Sequence, residues 1–148
     1  MADSRAQVQA EKWVVNNALL QSFPNKQFRH RKIRLTWGGE FDFDAVSDDG
    51  SVVALVSTIH PLTAKGKLAV GKIHKLKADA LYLLHAEGAK RRVMVFTQAS
   101  MMKRFEKEKG SGRFPPEIEL LFIRLPKKLQ DAVEEARRRA SEEVSPRA

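Results

Sequence analysis

Acidic residues occupy every second position in the segment 40–44, as Glu40, Asp42 and Asp44. Side chains at alternate positions of a β-strand point to the same face of a sheet. A strand here would therefore group three carboxyl groups on one face, with Ala45 and the two intervening phenylalanines on the other. Carboxylates placed side by side can bind a hard cation such as Mg²⁺ through oxygen. The segment predicts an acidic site on the face of a sheet.

The pair Asp49-Gly50 predicts that this strand turns back in a hairpin, because Asp-Gly supplies the positive φ angles of a type I′ turn. A two-residue turn at this point sets Asp44 opposite Leu55 and Asp42 opposite Ser57 on the returning strand. The site would then combine the carboxylates of the first strand with whatever chemistry positions 55 and 57 provide.

Hydrophobic periodicity predicts the elements that must position these residues. Helices are predicted over 7–23, 68–87, 100–109 and from residue 126 onward. Strands are predicted over 33–37, 40–47, 51–58, 92–97 and 117–125. The order predicts one α/β domain over 1–148, with a frayed tail over 141–148. We expect a mixed central sheet of four or five strands flanked by helices.

This element order and the string EFDFDAVSDDGSVVALVST resemble the core of the PD-(D/E)XK nuclease superfamily, also called the restriction-endonuclease-like fold. In that family one strand carries a metal-binding Asp, and the next strand carries an acid, any residue and a Lys. The resemblance implies an αβββαβαβα fold in which Asp44 is the metal-binding acid. Leu55 and Ser57 then occupy the positions of the acid and the Lys. Many members also place a Glu on the first helix near the metal, and the resemblance implies Glu11 for that role.

The replacement of both family positions predicts a degenerate active site. Phosphodiester cleavage in this family needs a divalent cation to stabilise charge on the phosphate and a Lys to hold or deprotonate the attacking water. A leucine cannot ligate a cation, and a serine cannot supply an ammonium charge. Loss of paired catalytic groups lowers a rate by orders of magnitude. We therefore expect no cofactor, or Mg²⁺ held weakly by Asp44 and Glu11 if the site is active.

The positive charge of the chain is concentrated rather than spread evenly. Lys and Arg number 27 against 18 Asp and Glu, which gives a net charge of +9. The segments 26–34 and 50–78 contain basic residues and no acidic residue. Such segments predict contacts with nucleic-acid phosphates that tolerate differences in sequence. The residues expected to make them are Arg29, Arg31, Lys32, Arg34, Lys65, Lys67, Lys72 and Lys75.

Several other classes of protein are disfavoured. The absence of cysteine excludes disulfides, thiolate metal sites and cysteine nucleophiles. The four histidines lack the spacing of a zinc motif. No apolar run is long enough to span a membrane, and the segment 1–13 lacks the apolar stretch of a signal peptide, so we expect a cytoplasmic protein without a membrane partner.

Three functions fit these observations. The first is a nuclease-fold protein that binds nucleic acid, with DNA as the expected partner and with catalysis lost or weak. The second is a Mg²⁺-dependent endonuclease in which Glu11, Glu40 or Asp42 supplies the missing acid and Lys65 or Lys67 the base. The third is a protein-interaction subunit of a larger complex. The sequence leaves open DNA against RNA, any sequence preference and whether the chain forms a homodimer.

Overall fold

The computed structural model describes residues 5–144 and contains the predicted order of helices and strands. The helical elements are α1 (Arg5–Trp13), a π-helical turn (Val14–Ala18), α2 (Leu19–Ser22), α3 (Val70–Leu84), α4 (Ala99–Gly110) and α5 (Lys127–Val144). The strands are β1 (Phe28–Arg34), β2 (Glu40–Ser47), β3 (Val52–Ser57), β4 (Arg91–Phe96) and β5 (Ile118–Phe122). The α/β class is therefore confirmed.

The five strands form one open, mixed sheet in the order β1-β2-β3-β4-β5. Strands β1, β2 and β3 pair antiparallel, as short turns allow. Strands β3, β4 and β5 pair parallel, and their crossover connections contain α3 and α4. The predicted mixed sheet is confirmed, with the β2–β3 hairpin inside it.

Buried side chains cover both faces of the sheet. On one face they pack with α3 and α4, and we call this the α3 layer. It includes Phe43, Val46, Leu55, Ile73, Leu83, Phe96 and Phe105. On the other face they pack with α1, the π-helical turn and α5, and we call this the α1 layer. It includes Ala10, Val14, Leu19, Ala45, Ala54, Val95 and Val133.

A β-bulge interrupts β2 at Asp44 and Ala45, where the single residue His30 of β1 lies opposite both. An extra residue in one strand shifts the alternation of all side chains beyond it. Phe43 and Val46 consequently pack in the α3 layer, whereas Ala45 packs in the α1 layer. The prediction that Ala45 shares a face with the phenylalanines is wrong for this reason.

In the β2–β3 hairpin Ala45 lies opposite Ala54 and Val46 opposite Val53, as predicted. The prediction that Asp44 faces Leu55 on one side of the sheet is wrong, because the bulge turns Asp44 to the α1 side whereas Leu55 packs in the α3 layer. The turn of the hairpin also differs from the predicted one. Gly50 has a positive φ of 74° but Asp49 does not, so the type I′ prediction is wrong.

The Asp49 side chain organises this turn. Its Oδ1 accepts hydrogen bonds from the hydroxyls of Ser47 and Ser51, each at 2.7 Å. Its Oδ2 accepts one from the Lys26 ammonium at 2.6 Å. The hydrogen bond from Lys26, with those from the two serines, holds the pKa of Asp49 well below its ordinary value. The carboxylate therefore ties β2, β3 and the segment before β1 together.

Strand β1 covers Phe28–Arg34 rather than the predicted 33–37. It is the edge strand of the sheet, and its residues 29–32 are exposed. A strand with both faces in solvent needs no alternation of apolar residues, so periodicity does not reveal it.

At the other end of the chain, α5 continues through Val144, so residues 141–144 of the predicted frayed tail are helical. The last part of that tail, residues 145–148, lies outside the described residues. Among residues 5–144, no helix combines the length and the apolar character that crossing a membrane requires.

We expect Asp49→Ala to lower the midpoint of urea unfolding at neutral pH, because four hydrogen bonds from Lys26, Ser47 and Ser51 lose their acceptor. Asp48→Ala is the matched control, since the Asp48 carboxylate accepts a longer bond of 3.2 Å from the next N–H. The lowered pKa means that the wild-type advantage is present above pH 3.8 and is lost as the pH falls through the lower pKa of the folded state. Equal midpoints for the two variants would contradict this role.

Candidate metal and nucleic-acid site

A cavity of about 590 Å³ lies at the carboxyl end of β3. Asp44 and Val56, which follow the paired residues Ala45 and Ala54 toward this end of the hairpin, line the cavity. The N–H of Val56 donates a hydrogen bond to Oδ2 of Asp44 at 2.8 Å. Ser57 at the end of β3 and Gln98 after β4 also line the cavity. Ligands of open α/β sheets bind outside the carboxyl ends of strands, so this is the expected place for a site.

Three possible metal ligands from three elements lie close together, and two of them, Glu11 and Asp44, line this cavity. Glu11 of α1, His30 of β1 and Asp44 of β2 place one ligand atom each within 4.8 Å of the other two. The bulge puts Asp44 beside His30 on the α1 side of the sheet, and the burial of Ala10 in the α1 layer fixes the side of α1 that carries Glu11. The structure therefore brings the two predicted acids together.

The surroundings of the two carboxyl groups raise the pKa of both. Burial, with the charge and hydrogen bond of Asp44, raises the pKa of Glu11 to about 7, while Lys75 acts in the opposite direction. Burial also raises the pKa of Asp44, against hydrogen bonds from the N–H of Val56 and from Glu11. The carboxyl of Glu11 is thus the donor and the carboxylate of Asp44 the acceptor.

The donor set fits a divalent cation. Metal–ligand distances of about 2.1 Å separate the ligand atoms of one ion by about 3–4 Å. The three atoms, within 4.8 Å of one another, need to close only slightly. Carboxylate oxygens suit Mg²⁺ and Mn²⁺, and an imidazole adds affinity for Mn²⁺ and other transition metals. A cation bound here would replace the proton that Glu11 and Asp44 share.

His30 is the site residue that sequence reasoning missed. Its Nδ1 lies 3.1 Å from Oδ1 of Asp42, and a carboxylate in this position orients a metal-binding imidazole. Zinc motifs are defined by the spacing between histidines, so they do not reveal a lone histidine on the strand beside the acids. The signal lies in the pairing of β1 with β2, which the misplaced β1 prediction concealed.

The lysines at the cavity belong to α3. Lys72 and Lys75 line it, and Nζ of Lys75 lies 2.8 Å from Oδ2 of Asp79. Lys65 and Lys67, predicted to supply the missing charge, are exposed in the loop between β3 and α3 and are not among the lining residues. The positive charge that lines the cavity with the acids therefore comes from Lys72 and Lys75, which lie within one turn of α3.

Positions 55 and 57 form part of the cavity surface. Leu55 is buried in the α3 layer with only 6 % of its surface exposed, and Ser57 is also buried. The Ser57 hydroxyl accepts a hydrogen bond of 3.3 Å from the N–H of Ile59. At the two positions that the resemblance assigned to an acid and a Lys, the cavity is therefore lined by hydrocarbon and a hydroxyl.

The basic residues of β1 divide between the two faces of the sheet. Lys32 pairs with Asp42 and therefore shares its face, and alternation places Arg34 on that face too. Arg29 and Arg31 project from the opposite face. One edge strand thus offers charge on both sides, and Lys32 is its predicted phosphate contact nearest to Asp42.

We expect the stability of Glu11→Gln, relative to wild type, to increase with pH. The folded protein raises the pKa of Glu11 from 4.5 to about 7, so it binds more protons than the unfolded chain between these values, and its stability falls as the pH rises. Glutamine does not ionise and avoids this loss. Urea midpoints measured from about pH 5 to about pH 8 should therefore diverge in favour of the variant. Glu106→Gln, on the exposed side of α4, is the control, and a Glu11→Gln profile parallel to wild type would contradict the assignment.

A comparison of the chain with protein-family models, curated proteins and solved structures finds no match.

Proposed function

We propose that the protein binds nucleic acid, with DNA as the first candidate, through a restriction-endonuclease-like fold whose catalytic activity is lost or weak. The observation that carries this proposal is that Glu11 and Asp44, which lie beside His30, line one cavity together with Lys72 and Lys75. A divalent cation on the three ligands and the two ammonium groups would face the same phosphate.

The charge of the site supports binding that depends on a cation. Without one, ionised Glu11 and Asp44 would repel a phosphate, and their shared proton removes only part of that charge. A divalent cation neutralises the two carboxylates and gives the phosphate a direct partner. The net charge of +9 adds attraction that is independent of sequence.

The cavity surface also explains why we expect little cleavage. Leu55 presents hydrocarbon where the resembled family has an acid, so the cation would lack one anionic ligand. Ser57 cannot replace the Lys that acts on the attacking water. The chain keeps groups that would bind a phosphate and lacks two groups that would cleave the phosphodiester bond.

A second candidate function, a slow metal-dependent endonuclease, is favoured by Lys75. Its ammonium acts on the pKa of Glu11 and forms an ion pair with Asp79 at 2.8 Å. A lysine held beside the acids could take the role of the missing family Lys from a different element. In this candidate function Lys75, rather than the exposed Lys65 or Lys67, supplies the positive charge.

We expect fluorescence anisotropy on a labelled duplex with Mg²⁺ to give a slope of log K against log salt of roughly −3 to −4, as for about four neutralised phosphates. Lys72→Ala/Lys75→Ala should make this slope shallower by roughly 1 to 2 and weaken binding equally for unrelated sequences. Lys103→Ala/Lys107→Ala, on the exposed side of α4, removes the same charge elsewhere and is the control.

Two results would contradict nucleic-acid binding at this site. One is equal loss in the two double variants, and the other is no wild-type affinity even at low salt. The second would favour the protein-interaction subunit.

We expect purified protein with Mg²⁺ or Mn²⁺ to cleave plasmid DNA and RNA no faster than Asp44→Ala, because an acid and a Lys are missing beside Asp44. Gel assays over a time course measure both rates. A metal-dependent rate that Asp44→Ala and Lys75→Met each abolish would instead establish the endonuclease, whereas a rate insensitive to both changes would indicate a contaminant.

A further inference from the structure

The third possible ligand of the metal cluster comes from the edge strand β1 and not from β3. The resembled family has acids at the positions of Asp44 and Leu55, but here Leu55 packs in the α3 layer. His30 lies opposite Asp44 in the bulge, and one of its ring nitrogens lies within 4.8 Å of an oxygen of Asp44 and of Glu11. A nitrogen ligand therefore joins two oxygen ligands where the family has oxygen ligands alone.

Asp42 is placed to orient this imidazole. Its Oδ1 lies 3.1 Å from Nδ1 of His30, and both side chains are about half exposed. A carboxylate this close to one ring nitrogen fixes the tautomer and the direction of a metal-binding imidazole, so that the other nitrogen can face a cation. Because the imidazole is accessible, a cation can reach it without a change of fold.

The charges around the cluster leave two carboxyl groups for a cation. Asp79 and Glu134, which also line the cavity, form ion pairs with basic residues of their own helices. Glu11 and Asp44 instead share a hydrogen bond, and within residues 5–144 neither has an ion-pair partner. The carboxyl groups beside His30 are therefore the ones that a cation would neutralise.

We propose that Glu11, His30 and Asp44 bind a first-row transition-metal dication in preference to Mg²⁺, and that Asp42 positions the imidazole. Mg²⁺ binds oxygen ligands and keeps several of its waters, whereas an imidazole nitrogen suits transition metals. For nitrogen and oxygen ligands, affinity rises from Mn²⁺ to Co²⁺. This inference rests on the metal site of the proposed function and names its class of cation. His30 is then the residue that determines the choice of metal.

The test measures metal binding by the full chain without nucleic acid. Metal-free protein is titrated calorimetrically with MgCl₂, MnCl₂ and CoCl₂ in one buffer. Co²⁺ should bind at least about tenfold more tightly than Mg²⁺, with Mn²⁺ between them. Electron spin echo measurements on bound Mn²⁺ should show coupling to a nitrogen nucleus, because a coordinated imidazole places nitrogen next to the unpaired electrons.

Replacement of His30 separates the choice of metal from metal binding itself. His30→Gln should weaken Co²⁺ binding by about tenfold or more, change Mg²⁺ binding by less than about twofold and remove the nitrogen coupling. His74→Gln, exposed on α3, removes an imidazole away from the cluster and is the control. Asp44→Asn should weaken the binding of both cations, because both use this carboxylate.

Two variants that remove the same charge test the role of Asp42. Asp42→Asn keeps an oxygen that can accept from the imidazole, and Asp42→Ala does not. Co²⁺ should bind Asp42→Asn several-fold more tightly than Asp42→Ala, whereas Mg²⁺ should bind the two variants equally. Equal Co²⁺ affinities in the two variants would overturn the positioning role.

The outcomes distinguish this inference from the function on which it rests. Equal affinity for Co²⁺ and Mg²⁺, or a Co²⁺ preference that survives in His30→Gln, would overturn the transition-metal site. Duplex binding that still requires Mg²⁺ would in that case leave the proposed function standing. A Co²⁺ preference that depends on His30, with no binding of any oligonucleotide, would support this inference and overturn the proposed function.

Discussion

The bulge at Asp44 and Ala45 is the constraint on which the site depends. The extra residue returns Val46 to the α3 layer while it keeps Ala45 in the α1 layer, so both apolar layers remain filled. It also leaves Asp44 beside His30, within reach of Glu11 on α1. A regular strand cannot satisfy both requirements, because its side chains alternate without interruption. The bulge therefore determines both the packing of the two layers and the position of the Asp44 carboxylate.

Burial gives the acid pair its chemical character. Glu11 and Asp44 lose part of their hydration, and the N–H of Val56 and the nearby Lys75 compensate only partly. Such a pair has two ways to remain buried near neutral pH, namely to hold a proton or to hold a cation. A phosphate is compatible with the second state. In the proposed function, cation binding and phosphate binding would be coupled by the same desolvation that raises the pKa of Glu11.

Leu55 both supports the core and limits the chemistry of the cavity. Leu55 packs in the α3 layer and also contributes to the cavity surface. Hydrocarbon at this position stabilises the sheet through burial, whereas an acid would have to be desolvated and then paired with a cation. The cavity consequently has apolar surface at a position where the resembled nucleases have a metal ligand. In the proposed function, this exchange would favour binding over cleavage.

The sequence alone determined the order of elements, the mixed sheet and the register of the β2–β3 hairpin, because periodicity and an Asp-Gly turn are local properties of the chain. It also singled out Glu11 and Asp44. It did not reveal β1 or the bulge, since an exposed edge strand needs no apolar pattern and a bulge exists only relative to its partner strand. The choice of Lys75 over Lys65 and Lys67, and the presence of His30, were decided by how α3 and β1 pack around the sheet. Proximity between distant residues is a property of tertiary packing, which short-range patterns do not encode.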